Sequence, residues 1–209
     1  MNVAFLLNMA LMAVVLLFSV IVHEVAHGYV AWLNGDPTAR MAGRITLNPV
    51  PHIDPIYTIL VPVLLIVTGS PFIIGAARPV PVNPTYFRNY RLGELTTSLA
   101  GCASNLALAA VFSLLANSGL GGLGLLKMAA IGAHINIILA IFNLIPIPPL
   151  DGSHVVALML PPHLLQYYRY LEPLGLPIVI LLLISGLLWR IILPFYFLIV
   201  KLLHVPLIF

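Results

Sequence analysis

Charge is what this sequence has least of: 7% of its 209 residues are Asp, Glu, Lys or Arg, against 61% apolar. Soluble domains carry about 25% charged residues, so an ordinary aqueous globule and a disordered chain are both excluded. Nine Lys and Arg are too few to track a phosphate backbone, which excludes nucleic acid as a partner. Cysteine is just as scarce. Cys102 alone offers neither an intrachain disulfide nor a Cys-based metal site. Basic residues are missing from the amino-terminal region, where the first is Arg40. A secretory signal needs a positive region ahead of its apolar stretch, so residues 3–22 read as a retained transmembrane helix. Internal repeats and low-complexity tracts are missing too, and no soluble sensor domain is expected.

What is present is hydrophobic length. The mean hydropathy is +1.10, and residues 1–23, 55–77, 95–126, 128–150 and 173–189 hold no formally charged side chain. A helix needs about 20 apolar residues to cross the hydrocarbon, so the chain is expected to be an all-α polytopic membrane protein.

The first helix runs without Pro or Gly into His23-Glu24-Val25-Ala26-His27-Gly28. At 3.6 residues per turn, His23 and His27 share one face, one turn apart, and both imidazoles can reach a single cation. Glu24 lies beside that face, free to serve as a base without being a ligand. The alternative is a His/Glu cluster satisfied by neighbouring helices. Ionisable groups inside a membrane helix are costly unless paired or liganded, which favours the functional reading.

Two histidines leave a zinc site one protein ligand short. Asp54, Glu94, Asp151, Glu172 and the remaining histidines are the candidates, and Asp151 stands out. It follows Pro146, Pro148 and Pro149, which forbid continuation of the helix ending near Asn143. Irregular backbone at membrane depth is tolerated only where it is buried in protein or lines a water-filled cavity. The alternative is a Pro-rich surface loop turning at Asp151-Gly152. His154 is the rival ligand, should the chain reverse at Gly152.

Taken together, these pieces resemble the site-2 protease family of intramembrane zinc metalloproteases. His23 to Gly28 matches the family's zinc-binding motif, and Asn143 to Gly152 its second motif, an Asn followed by prolines and Leu-Asp-Gly. Ala100-Gly101-Cys102-Ala103-Ser104-Asn105 is similar to a third segment, with Cys102 where Pro is usual. Gly35-Asp36, Leu47-Asn48-Pro49, His52 to Pro55 and Arg78 to Pro84 are similar to a compact branch of the family. The resemblance implies one Zn2+ per chain held by His23, His27 and Asp151, with Glu24 as catalytic base. It implies hydrolysis of peptide bonds in or near transmembrane segments of membrane-protein substrates. His52, Asn105 and Asn143 are candidates for contacts to the ligands or to substrate. A membrane metal-ion transporter and a non-catalytic membrane scaffold are the competing classes.

The resemblance also implies a three-helix core, here about 3–34, 93–116 and 128–145, within a unit spanning 1–160. One or two further membrane helices are expected in 161–209. The stretch 55–77 carries Pro62, Gly69 and Pro71, and a crossing there would split the arginines across the membrane, against the cytoplasmic bias of basic residues. It is expected to be re-entrant, with 36–54 and 78–92 both cytoplasmic. The setting expected is a prokaryotic cell membrane, with the site nearer the cytoplasmic side. A loosely alternating run at 41–47, or the backbone of 146–150, is expected to offer an extended edge to an unwound substrate.

Overall fold

The computed structural model describes residues 3–68, 75 and 77–206, with side chains from Met9 onward. Among them there is no strand. The helices are α1 (Val3–Leu33), α2 (Thr38–Met41), α3 (Val61–Val67), α4 (Tyr90–Asn117), α5 (Leu123–Asn143), α6 (Asp151–Met159), α7 (Pro162–Arg169), α8 (Gly175–Ile184) and α9 (Leu187–Leu202). Among the described residues, four segments are long and apolar enough to cross a bilayer: Met9–Leu33, Tyr90–Asn117, Leu123–Asn143 and Pro162–Ile184. The protein is an all-α polytopic membrane protein. At about 1.5 Å per residue, the 16 residues of α9 reach only about 24 Å, short of the hydrocarbon thickness.

Helices α1, α4 and α5 form the bundle that carries the site. Lipid provides no hydrophobic drive for helices to associate, so close packing depends on small side chains. The buried positions fit this: Ala31 on α1, Ala100, Gly101 and Ala109 on α4, and Ala129, Ala133 and Ala140 on α5. At Gly132 a methyl group would come within 2.9 Å of the Phe112 ring, so α4 and α5 meet there backbone to ring. Ser19 on α1 bonds to Asn136 on α5, and His23, one turn on, meets both Asn105 on α4 and Asp151 just beyond α5. His27, another turn on, reaches Thr97. Ascending α1 therefore follows α5 forward and α4 backward, so α1 and α5 run parallel with α4 antiparallel between them. Leu188, Ile192 and Val200 of α9 complete the apolar core against Ile137 and Ile141 of α5.

The segment after α2 returns to the end of the bundle where it starts. Arg44 donates to the Arg78 carbonyl over 2.6 Å, so the two flanks of 55–77 touch. Between them Asp54 caps a π-helical turn, Pro55–Leu60, by accepting from the Ile56 and Tyr57 amides, and α3 follows directly. The 13 residues of Pro55–Val67 are too few to cross. The remainder of the expected re-entrant stretch, 69–74 and 76, lies outside the described residues. Within the expected extended edge at 41–47, Met41 to Arg44 instead close α2 in a turn, with Gly43 at φ +65° and the Arg44 amide bonded to the Ala39 carbonyl. That turn spends its backbone donors locally.

Candidate metal centre

His23 and His27 project from one face of α1, with ring centroids 4.6 Å apart and Nε2 atoms 3.0 Å apart. Asp151 Oδ2 lies 3.2 Å from each of those nitrogens. Prolines after Asn143 end α5, Leu150 is extended, and Asp151 opens α6, a position where the helix dipole favours an acid. Gly152 makes the approach possible, because a Cβ there would strike the Leu144 carbonyl oxygen. Gly101 of α4 closes the site from the other side: a Cβ would collide with His27 Nε2 and the His23 ring.

The other ring nitrogens are committed elsewhere. His27 Nδ1 lies 2.7 Å from the Thr97 carbonyl and His23 Nδ1 lies 2.6 Å from Asn105 Oδ1. A carbonyl only accepts, so His27 carries its proton on Nδ1 and turns a lone pair at Nε2 inward. Nitrogen lone pairs and a carboxylate at this spacing repel unless positive charge lies among them. Two imidazole nitrogens plus one carboxylate oxygen are the donor set of a catalytic zinc site, with bonds near ~2.0–2.2 Å and one position left open. The residues present fit a zinc ion.

Glu24 stands beside the cluster, and its Oε2 accepts the Val80 backbone N–H over 2.7 Å. Val80 is held over α1 by several links. Arg44 grips the carbonyls of Arg78 and Pro79, Asp36 Oδ2 accepts the Asn83 amide, and Gly28 leaves room for Val80 Cγ1. Together these walls enclose a cavity of about 380 Å³ that His23, Glu24, His27 and Asp151 line with Pro79, Val80, Asn143 and His154. A larger cavity of about 700 Å³ adjoins it, sharing Glu94, Pro149 and His154.

Other predicted residues take different places. Asn105 is fully buried against His23. Asn143 lines the cavity while its amide donates back to the Leu139 carbonyl. His52 is fully buried, bonded through Nε2 to the Thr46 carbonyl, and is not among the residues lining the cavity. Its place is set by the turn of 46–52 rather than by the metal cluster. Asp54 is spent as a helix cap. His154 lies in the cavity but pairs with Glu94, Nδ1 to Oε1 at 3.1 Å, and that bond raises its pKa. Three neighbours escaped sequence reasoning: the Val80 amide, Asn136 behind Asn105, and the Cys102 thiol, 3.7 Å from Asp151 Oδ2. Asn136 left one signal, an amide between Ile135 and Ile137 in the middle of α5.

Comparison with known proteins decides the family, because residues 11–185 match Peptidase family M50. The chain belongs to peptidase family M50. "Putative zinc metalloprotease YwhC" of Bacillus subtilis is 37% identical over 188 residues, 86% of this chain and 82% of that relative. Rip2 of Mycolicibacterium smegmatis, described in the same words, is 31% identical over 180 residues, 81% of this chain and 64% of that relative. MJ0611 of Methanocaldococcus jannaschii, likewise described, is 39% identical over 94 residues, 45% of this chain and 47% of that relative. No solved structure matches. The M50 match spans α1 through α8 and so includes every residue of the His23, Glu24, His27 and Asp151 cluster.

Proposed function

We propose that this M50 chain is a zinc-dependent intramembrane endopeptidase that cuts peptide bonds in or near transmembrane segments of protein substrates. The observation that carries the reading is the convergence of two imidazole nitrogens and one carboxylate, with the Glu24 carboxylate beside them, inside a bundle of membrane-length helices. His23 lies ten residues, about 15 Å, from the end of α1, which supports chemistry at membrane depth.

His23, His27 and Asp151 would hold one zinc ion per chain. Such an ion would supply Lewis acidity that lowers the pKa of the attacking water toward ~7. Glu24 takes a proton from the attacking water and returns it to the leaving amine. The Val80 amide on Oε2 fixes the carboxylate's direction and leaves Oε1 for the proton. Helical carbonyls are bonded within the helix, so a substrate must unwind locally to present one, and the 380 Å³ cavity has room for a short unwound segment. Basic residues Arg40, Arg44, Arg78 and Arg88 gather at the site end of the bundle, which supports a cytoplasmic-side site by the positive-inside rule. A prokaryotic cell membrane is the proposed setting.

The test is incubation of the purified chain with a helical transmembrane substrate, with and without a zinc chelator. Chelator-sensitive cleavage supports the reading. Zinc transport across vesicles without cleavage would favour a transporter, and neither activity a scaffold.

A further inference from the structure

Behind His23 runs a line of hydrogen bonds that crosses all three core helices. His23 Nδ1 meets Asn105 Oδ1 at 2.6 Å, Asn105 Nδ2 meets Asn136 Oδ1 at 2.8 Å, and Asn136 Nδ2 meets Ser19 Oγ at 2.8 Å. Asn136 Nδ2 also reaches the Gly132 carbonyl at 2.8 Å, and Ser19 Oγ the Val15 carbonyl at 2.8 Å. Ser19, Asn105 and Asn136 are all fully buried. Solvent therefore does not reach these amides to satisfy them in another orientation, and a buried amide left unpaired is costly.

The polarity of this line is set at its far end. Backbone carbonyls of Gly132 and Val15 only accept, so the Asn136 atom facing Gly132 is its amide nitrogen and Ser19 donates to Val15. Asn136 must then present its oxygen to Asn105, and Asn105 must answer with its nitrogen. Asn105 is left with an oxygen toward His23, which can bond only to a protonated Nδ1. We propose that Asn136, which touches neither metal ligand nor cavity, is a positioning residue that fixes the Nδ1–H tautomer of His23 and thereby aims its Nε2 lone pair at the metal position. His27 reaches the same tautomer independently, through the Thr97 carbonyl. The role in metal binding rests on the zinc reading above; the tautomer itself does not.

The experiment uses the full chain in detergent, with 15N-labelled histidine. In the zinc-free wild type both His23 and His27 are expected to be protonated at Nδ1. Asn136→Leu frees the Asn105 amide to flip, so His23 is expected to shift toward the Nε2–H form while His27 does not change. Zinc affinity, measured by chelator competition, is expected to fall about 10- to 100-fold, the usual cost of losing an outer-shell partner. Asn136→Ala is the second variant should Leu not fold, with the same expectation. Ser19→Ala leaves the Gly132 carbonyl in place, so His23 is expected to keep its tautomer. An unchanged His23 in the Asn136 variants, or His23 and His27 changing together, would overturn the proposal. A wild type that shows the tautomers but binds no zinc would instead overturn the zinc reading.

Discussion

The backbone N–H of Val80 donates to Glu24 Oε2 over 2.7 Å, across 56 residues of sequence. One carboxylate oxygen is thereby fixed and the other is free to handle a proton. Glu24→Gln keeps an oxygen for Val80 but removes the base, so zinc content should be unchanged and cleavage lost. Glu24→Asp is one methylene too short to keep the Val80 bond and reach substrate water together. Its kcat should fall at least about 10²-fold, within the range of general-base contributions, again at full zinc content.

At Gly101 a single added methyl group would meet the two histidines of the cluster directly. Ala is about 1 kcal/mol more favourable than Gly in a helix, yet at this position it displaces His23 and His27. Gly101→Ala should weaken zinc binding by at least about tenfold, at the scale of disrupting a metal's outer shell, with helicity retained. Gly124→Ala on α5, where no atom lies within 4 Å of the added carbon, should leave zinc binding unchanged.

Both flanks of the segment 55–77 meet through Arg44 and Arg78. Cysteines placed at the exposed Met41 and Tyr86 should therefore react with an impermeant thiol reagent from the same side of sealed vesicles. Labelling from opposite sides would contradict the returning segment.

His154 is the group whose titration can be followed beside the site. Its bond to Glu94 raises the imidazole pKa above the ordinary 6.5. A raised folded-state value means the pair's stabilisation is complete below about 6.5 and lost as pH rises through the higher value. In the zinc-free protein, Glu94→Gln should lower the His154 midpoint, read by NMR. The stability gap between wild type and variant should narrow as pH rises past that midpoint.

Much of this architecture is legible in the residues themselves. The i, i+4 spacing of His23 and His27 needs only helical periodicity, and the prolines before Asp151 forced an irregular segment that could carry a carboxylate to them. The distribution of arginines places the two flanks of 55–77 on one side, in keeping with the contact between Arg44 and Arg78. What escaped has a common cause. The Val80 contact is made by a backbone amide, which leaves no signature in side-chain identity. Asn136 and Asn105 sit 31 residues apart on different helices, and their pairing depends on how those helices are rotated. His52 looked suited to the site by type, but the local turn binds it to Thr46 instead.

The most direct test of the account is mass-spectrometric mapping of products from a transmembrane substrate, using protein stripped of zinc and then reconstituted. The account predicts cleavage within or beside the membrane segment that is absent without zinc, restored at about one zinc per chain, and absent in Glu24→Gln carrying the same zinc. Cleavage that persists after zinc removal, or that Glu24→Gln performs as well as wild type, would contradict it.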